Sequence, residues 1–116
     1  MNFDKPKTLE EVIIKAAAVH FGMTVQEFTE NPRCGHNFTY QRYVCFHLLK
    51  QETLLSNAEI SKMFERKESV VKHGNSSING LKSVKDKRTI ADISDIYLLI
   101  NKFTSIKKFN DSNIFS

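Results

Sequence analysis

Between positions 66 and 79 the sequence places Arg66, Lys67, Glu68, Ser69, Lys72, His73, Ser76 and Asn79. These are donors and acceptors of lengths suited to nucleic-acid base edges and phosphates. At a helical period of about 3.6 residues, Glu68, Ser69, Lys72, His73, Ser76 and Asn79 share the side turned away from Val71, Gly74, Ile78 and Leu81. The chemistry offered is recognition, since a nucleophile at Cys34 or Ser69 would need a histidine and an orienting acid beside it, and nothing in the sequence brings these together. No enzyme activity is expected. The bland reading of the same residues is a solvated helix face.

Two other pairs invite a chemical reading, Cys34-x-His36 and Cys45-x-His47. Structural zinc pairs usually have two or more intervening residues, and Cys45 and His47 on a helix would point to nearly opposite sides, so no metal site is expected. A buried Cys45 and a half-exposed His47 suit the pattern better. With two cysteines, free thiols in a reducing compartment are expected in place of a disulfide framework.

The 116 residues fit one domain, with one core. Their net charge of +4 permits a polyanionic partner. The excess is local: residues 62–88 hold eight basic and three acidic side chains, a net +5. No apolar run approaches the roughly 18 residues of a membrane span, and MNFDKPKTLEE is too polar for a secretory signal, so a cytoplasmic protein with no membrane partner is expected.

The elements that must carry these residues read as helices. Apolar residues recur at three and four, and alternation is nearly absent, which predicts an all-α, compact six-helix bundle over residues 1–105 with a frayed tail over 106–116. Helix starts are marked by capping boxes at Thr8 with Glu11, Thr24 with Glu27 and Ser56 with Glu59, and by a weaker pair, Thr89 with Asp92. The spacing predicts helices over about 9–21, burying Leu9, Val12, Ile13 and Ala16; over 25–30; over 39–52, central and apolar around much of its circumference; over 57–64; over 68–84; and over 90–103. NPRCGHNF, around Pro32 and Gly35, reads as a loop. Phe109 and Phe115 in the tail are candidates for packing on a protein partner. The helices over 57–64 and 68–84, joined by a turn near Glu65–Lys67, form a helix-turn-helix arrangement, in which the second helix enters the DNA major groove by its N-terminal end.

The run AEISKMFERKESVVKH, from Ala58 to His73, resembles the C-terminal DNA-binding domain of the bacterial replication initiator DnaA. That family's signature reads approximately EIG, two residues, F, a short turn, then RDH[ST]TV, an aliphatic residue and H. Glu59, Ile60, Phe64, Arg66, Ser69, Val71 and His73 stand in matching places. RYVCFHLLK, from Arg42 to Lys50, is similar to the family's RQVAMYLLREL, and HFGMTVQEF, from His20 to Phe28, to its YFGVSVEEL, so the likeness spans about residues 8–84. It implies double-stranded DNA as the partner: Ser69 and His73 facing the major groove, Arg66 opening the signature, Lys50 and Arg42 near the DNA backbone, and Arg33 in a loop entering the minor groove. It also implies a role in replication or transcription control. No GxxxxGK[ST] phosphate loop is present, so no nucleotide or other cofactor is expected.

The chain departs from the family where bases are read. Lys67-Glu68 replaces Asp-His and Val70 replaces the second Thr, so a different DNA sequence or weak nonspecific binding is expected in place of the initiator's own site. The competing class is a protein-interaction module of the same fold, suggested by those replacements and the Phe-rich C-terminus.

Overall fold

The computed structural model describes the backbone of residues 9–30 and 36–113, with side chains over 9–30 and 38–104. These residues form six helices, α1 Leu9–His20, α2 Val25–Glu30, α3 His36–Glu52, α4 Asn57–Met63, α5 Glu68–Ser83 and α6 Lys87–Asn113, and no strand occurs among them. The all-α bundle expected from the periodicity is what forms.

Helix α3 is the axis of the core. Six successive residues, Val44, Cys45, Phe46, His47, Leu48 and Leu49, are buried, which on a helix requires neighbours on every side. α5 and α1 both pack on it, while α6 lies along α1 and α4 against α5. Phe64 ties these layers together: its ring meets Phe28 edge-on at 5.8 Å and Phe46 at 4.9 Å, with all three rings out of water. Burying one such side chain is worth roughly 1.5–3 kcal/mol.

Two of the expected capping boxes form. Glu27 N–H donates to Thr24 Oγ1 and Thr24 N–H to Glu27 Oε1, and Ser56 and Glu59 exchange the same pair of bonds. Thr8 lies outside the described residues. The pair Thr89–Asp92 does not cap: α6 begins three residues earlier than expected, and Asp86 Oδ2 accepts from both Thr89 N–H and its hydroxyl, at 3.0 and 2.7 Å. An aspartate satisfies the orphan amides of a first turn as well as a threonine does.

Three helices leave by one geometry. After α1, α4 and α5 a residue in the left-handed region, Gly22 (φ 77°), Glu65 (φ 52°) and Lys85 (φ 58°), is followed by one whose N–H returns to the last turn. Met23 donates to Ala18 O, Arg66 to Ser61 O and Asp86 to Leu81 O, each at 2.8–2.9 Å. This is the Schellman termination, which favours glycine because only glycine has no Cβ to strain there. At Glu65 and Lys85 the tertiary frame imposes it on ordinary residues.

Other boundaries differ from the periodicity. α3 starts at His36, inside the expected loop, and α6 continues to Asn113 where the apolar pattern ended near Phe103. Leu9, expected in the core, opens α1 at the rim and is 40% exposed.

Candidate nucleic-acid interface

Helix α4, the turn 64–67 and α5 pack as one unit against the core. Ile60 and Phe64 anchor α4 in the core, and Val71, Gly74 and Ile78 do the same for α5. Gly74 is required by the approach of α3: a Cβ built there would stand 2.6 Å from Tyr43 Cδ1 and 2.9 Å from its Cγ. On the other side of α5, Glu68, Ser69, Lys72, His73, Ser76, Asn79, Gly80 and Ser83 are all exposed, one continuous stripe of polar and small residues along the helix. The expected outward face is therefore the outward face.

At the N-terminal end of α5 the cap position is Lys67, in extended conformation (φ −73°, ψ 149°), and its side chain makes no capping bond. The positive end of the helix is thus uncapped by Lys67 and carries the exposed Lys67, Glu68 and Lys72. Arg66 is half-buried, with Nη1 donating to the Glu65 carbonyl at 3.2 Å. His73 lies edge-on to Tyr43, ring centroids 5.7 Å apart, and its Nε2 is 3.4 Å from Ser77 Oγ, so the imidazole is steered by both. Val70 is half-buried against the core and is withdrawn from the outward stripe.

The expected backbone contacts on α3 and its preceding loop divide. Arg42 is 4% exposed: Nε donates to the Phe28 carbonyl at 2.9 Å and the guanidinium lies 4.1 Å from the Phe38 ring centroid. It pins α2 to α3 as a core residue, not at the surface where the likeness placed it as a phosphate contact. Lys50 is half-buried, with Nζ donating to Leu55 O at 3.4 Å across the α3–α4 connection. Arg33 and Cys34 lie outside the described residues, as do the side chains of His36, Phe109 and Phe115.

His47, expected to be half-exposed, is only 1% exposed. Its Nδ1 is 2.9 Å from Asn75 Oδ1 and its Nε2 is 3.1 Å from Lys82 Nζ. An ammonium can only donate, so Nε2 accepts and Nδ1–H donates to the amide oxygen: the ring is neutral, in one tautomer. Burial, and then the Lys82 charge, hold its pKa below the ordinary histidine value, against the Asn75 bond. The three residues lock two turns of α5 to α3. Sequence reasoning missed Asn75 and Lys82; their separation of seven places both on one flank of α5, facing a helix that carries a lone histidine.

Cys45 is wholly buried and its thiol is pushed far up by that burial, so it offers no thiolate. Among the described residues no three His, Cys, Asp or Glu side chains gather as a metal site would require. A second polar cluster joins α1, α3 and α6: Tyr40 hydroxyl donates to Asp92 Oδ2 at 2.7 Å and His20 Nε2 to Asp92 Oδ1 at 2.9 Å. Burial, above all, raises the Tyr40 phenol to about 12. This cluster fixes the start of α6 and has no nucleophile in it.

No helix among the described residues is long and apolar enough to cross a membrane. Protein-family models give no match to the chain, and no curated protein matches it.

Proposed function

We propose that the chain binds double-stranded DNA through a helix-turn-helix formed by α4 and α5, with the outward stripe of α5 in the major groove. The observation that carries this reading is that stripe. Every residue on it is exposed, none is large and apolar, and its N-terminal end combines helix amides left uncapped by Lys67 with two lysines, Lys67 and Lys72, against one acid, Glu68. A helix presented to a groove needs such a face, with phosphates at its positive end and side chains along it for base edges.

Arg66, Lys67 and Lys72 supply phosphate contacts in this reading, while Glu68, Ser69, His73 and Ser76 face the bases. The likeness to the DnaA C-terminal domain, carried by Glu59, Ile60, Phe64, Arg66, Ser69, Val71 and His73, supports the same docking and a role in replication or transcription control in the cytoplasm, without nucleotide, metal or catalysis. Glu68 and Lys67, where that family carries His and Asp, direct the chain to a different DNA sequence.

The test is titration of a labelled duplex pool at two or more salt concentrations. The expected result is a log–log salt slope of about −3, close to 0.9 for each phosphate met by Arg66, Lys67 and Lys72. Absence of binding at low salt refutes the proposal. A protein-interaction module of the same fold is the second reading, favoured by one observation: Arg42, a basic residue expected on the DNA side, is spent inside the core.

A further inference from the structure

We propose that copies of this chain associate head to tail, the basic turn between α5 and α6 of one copy seating in an acidic cleft at the far end of the next. This does not rest on DNA binding.

The cleft is open, of about 430 Å³, and lies where the start of α1 meets the end of α3 and the connection to α4. Leu9, Leu54 and Leu55 are its apolar lining and Glu10, Glu52 and Glu59 its charged lining; no basic residue is among the described residues that line it, although the Lys62 charge reaches Glu59. Leu54 is fully exposed, an unusual position for a leucine. Glu59 is held ionised, its carboxyl kept below the usual range first by the Ser56 backbone N–H, and Glu52 accepts from the Tyr97 hydroxyl at 2.6 Å. Each retains an oxygen for a further donor, and Lys50 nearby is occupied with the Leu55 carbonyl.

The complement of this surface is on the same chain. In the turn after α5, Val84 is 74% exposed and is followed by Lys85 and, opening α6, Lys87, both exposed. The acid between them, Asp86, is turned back to cap Thr89, so the lysines dominate the outward side. An exposed apolar side chain beside two ammonium groups complements leucines set among carboxylates.

The two surfaces lie at opposite ends of α3. Arg88, in the first turn of α6 just beyond Lys87, stacks 4.3 Å from the Tyr40 ring centroid near the start of α3, whereas the cleft is marked by Glu52 at its end. Twelve residues of helix, about 18 Å, separate them. A chain cannot fold this turn into its own cleft, so the contact is between copies, heterologous, and leaves one free cleft and one free turn for further copies.

Sedimentation velocity over a concentration series tests this on the whole chain. The wild type sediments faster as concentration rises, and high salt suppresses the increase. Lys85→Glu and Glu10→Lys, both at exposed or half-exposed positions, each abolish it while the circular dichroism stays helical; Leu54→Asp does the same and stands in should Glu10→Lys unfold. Mixing Lys85→Glu with Glu10→Lys restores association, because each variant supplies the partner charge the other lacks. A wild type that stays monomeric throughout, variants that associate as it does, or a mixture that remains monomeric would each overturn the proposal.

Discussion

Replacing Gly74 with alanine adds one methyl group where α5 crosses α3, and its effect can be separated from every other consequence of the substitution by making the same change at Gly80. Both glycines lie in α5, so both substitutions gain the same helix propensity, about 1 kcal/mol, and restrict the unfolded chain equally. Gly80 is exposed and a Cβ there has no neighbour within 4 Å. At Gly74 the Cβ would stand 2.6 Å from Tyr43 Cδ1, 2.9 Å from Cγ and 3.1 Å from Phe46 Cδ2. Carbon atoms pack best at about 3.5–4.0 Å, so α5 must move outward by several tenths of an ångström or more. Those atoms sit at the root of an aromatic ring, so relief by Tyr43 itself requires a χ1 change that gives up its ring contacts with Phe46 and His73. An overpacking cost of about 3 kcal/mol, the upper part of the usual range, leaves Gly74→Ala about 2 kcal/mol less stable than wild type and Gly80→Ala about 1 kcal/mol more stable. Urea unfolding followed by circular dichroism should separate the two variants by roughly 3 kcal/mol, and their melting temperatures by on the order of 10 °C. Because Tyr43 also steers His73, Gly74→Ala should disturb the outward face as well. A Gly74→Ala protein as stable as Gly80→Ala would refute the close approach of α3 and α5 on which the placement of the interface depends.

Three further outcomes follow from the geometry. Glu65→Gly and Lys85→Gly relieve left-handed residues at φ 52° and 58° and should each raise the denaturant midpoint, by about 1 kcal/mol in stability. Folding lowers the His47 pKa, so the unfolded chain binds the extra proton first: stability should be full above about pH 6.5 and fall as the pH drops below it, and His47→Gln should flatten that part of a urea-midpoint profile. Arg42→Ala should cost roughly 2–3 kcal/mol by orphaning the buried Phe28 carbonyl, and Arg42→Lys should restore little of it; unchanged thermal melting of either would contradict its core role.

What could be read in the sequence follows the range of the interaction concerned. The boxes at Thr24 and Ser56 are local, and the stripe Val71, Gly74, Ile78 depends only on helical period, so α2, α4 and the outward face of α5 were legible. The start of α6 was not, because Asp86–Thr89 and Thr89–Asp92 both satisfy a local capping pattern and the contact that decides between them, Asp92 with Tyr40 and His20, is long-range. Arg42 and His47 misled for the same reason. A polar side chain reads as exposed until its partners, the Phe28 carbonyl on α2 and Asn75 with Lys82 on α5, are brought to it by the fold.

The placement of DNA on α5 is tested most directly by amide chemical-shift mapping of the protein against a short duplex. Shifts confined to residues 66–80 and the end of α4, falling away as salt is added and lost in a Lys67→Ala, Lys72→Ala double variant that keeps its fold, are the expected result. Shifts centred on α6, or none at low salt with excess duplex, would contradict it.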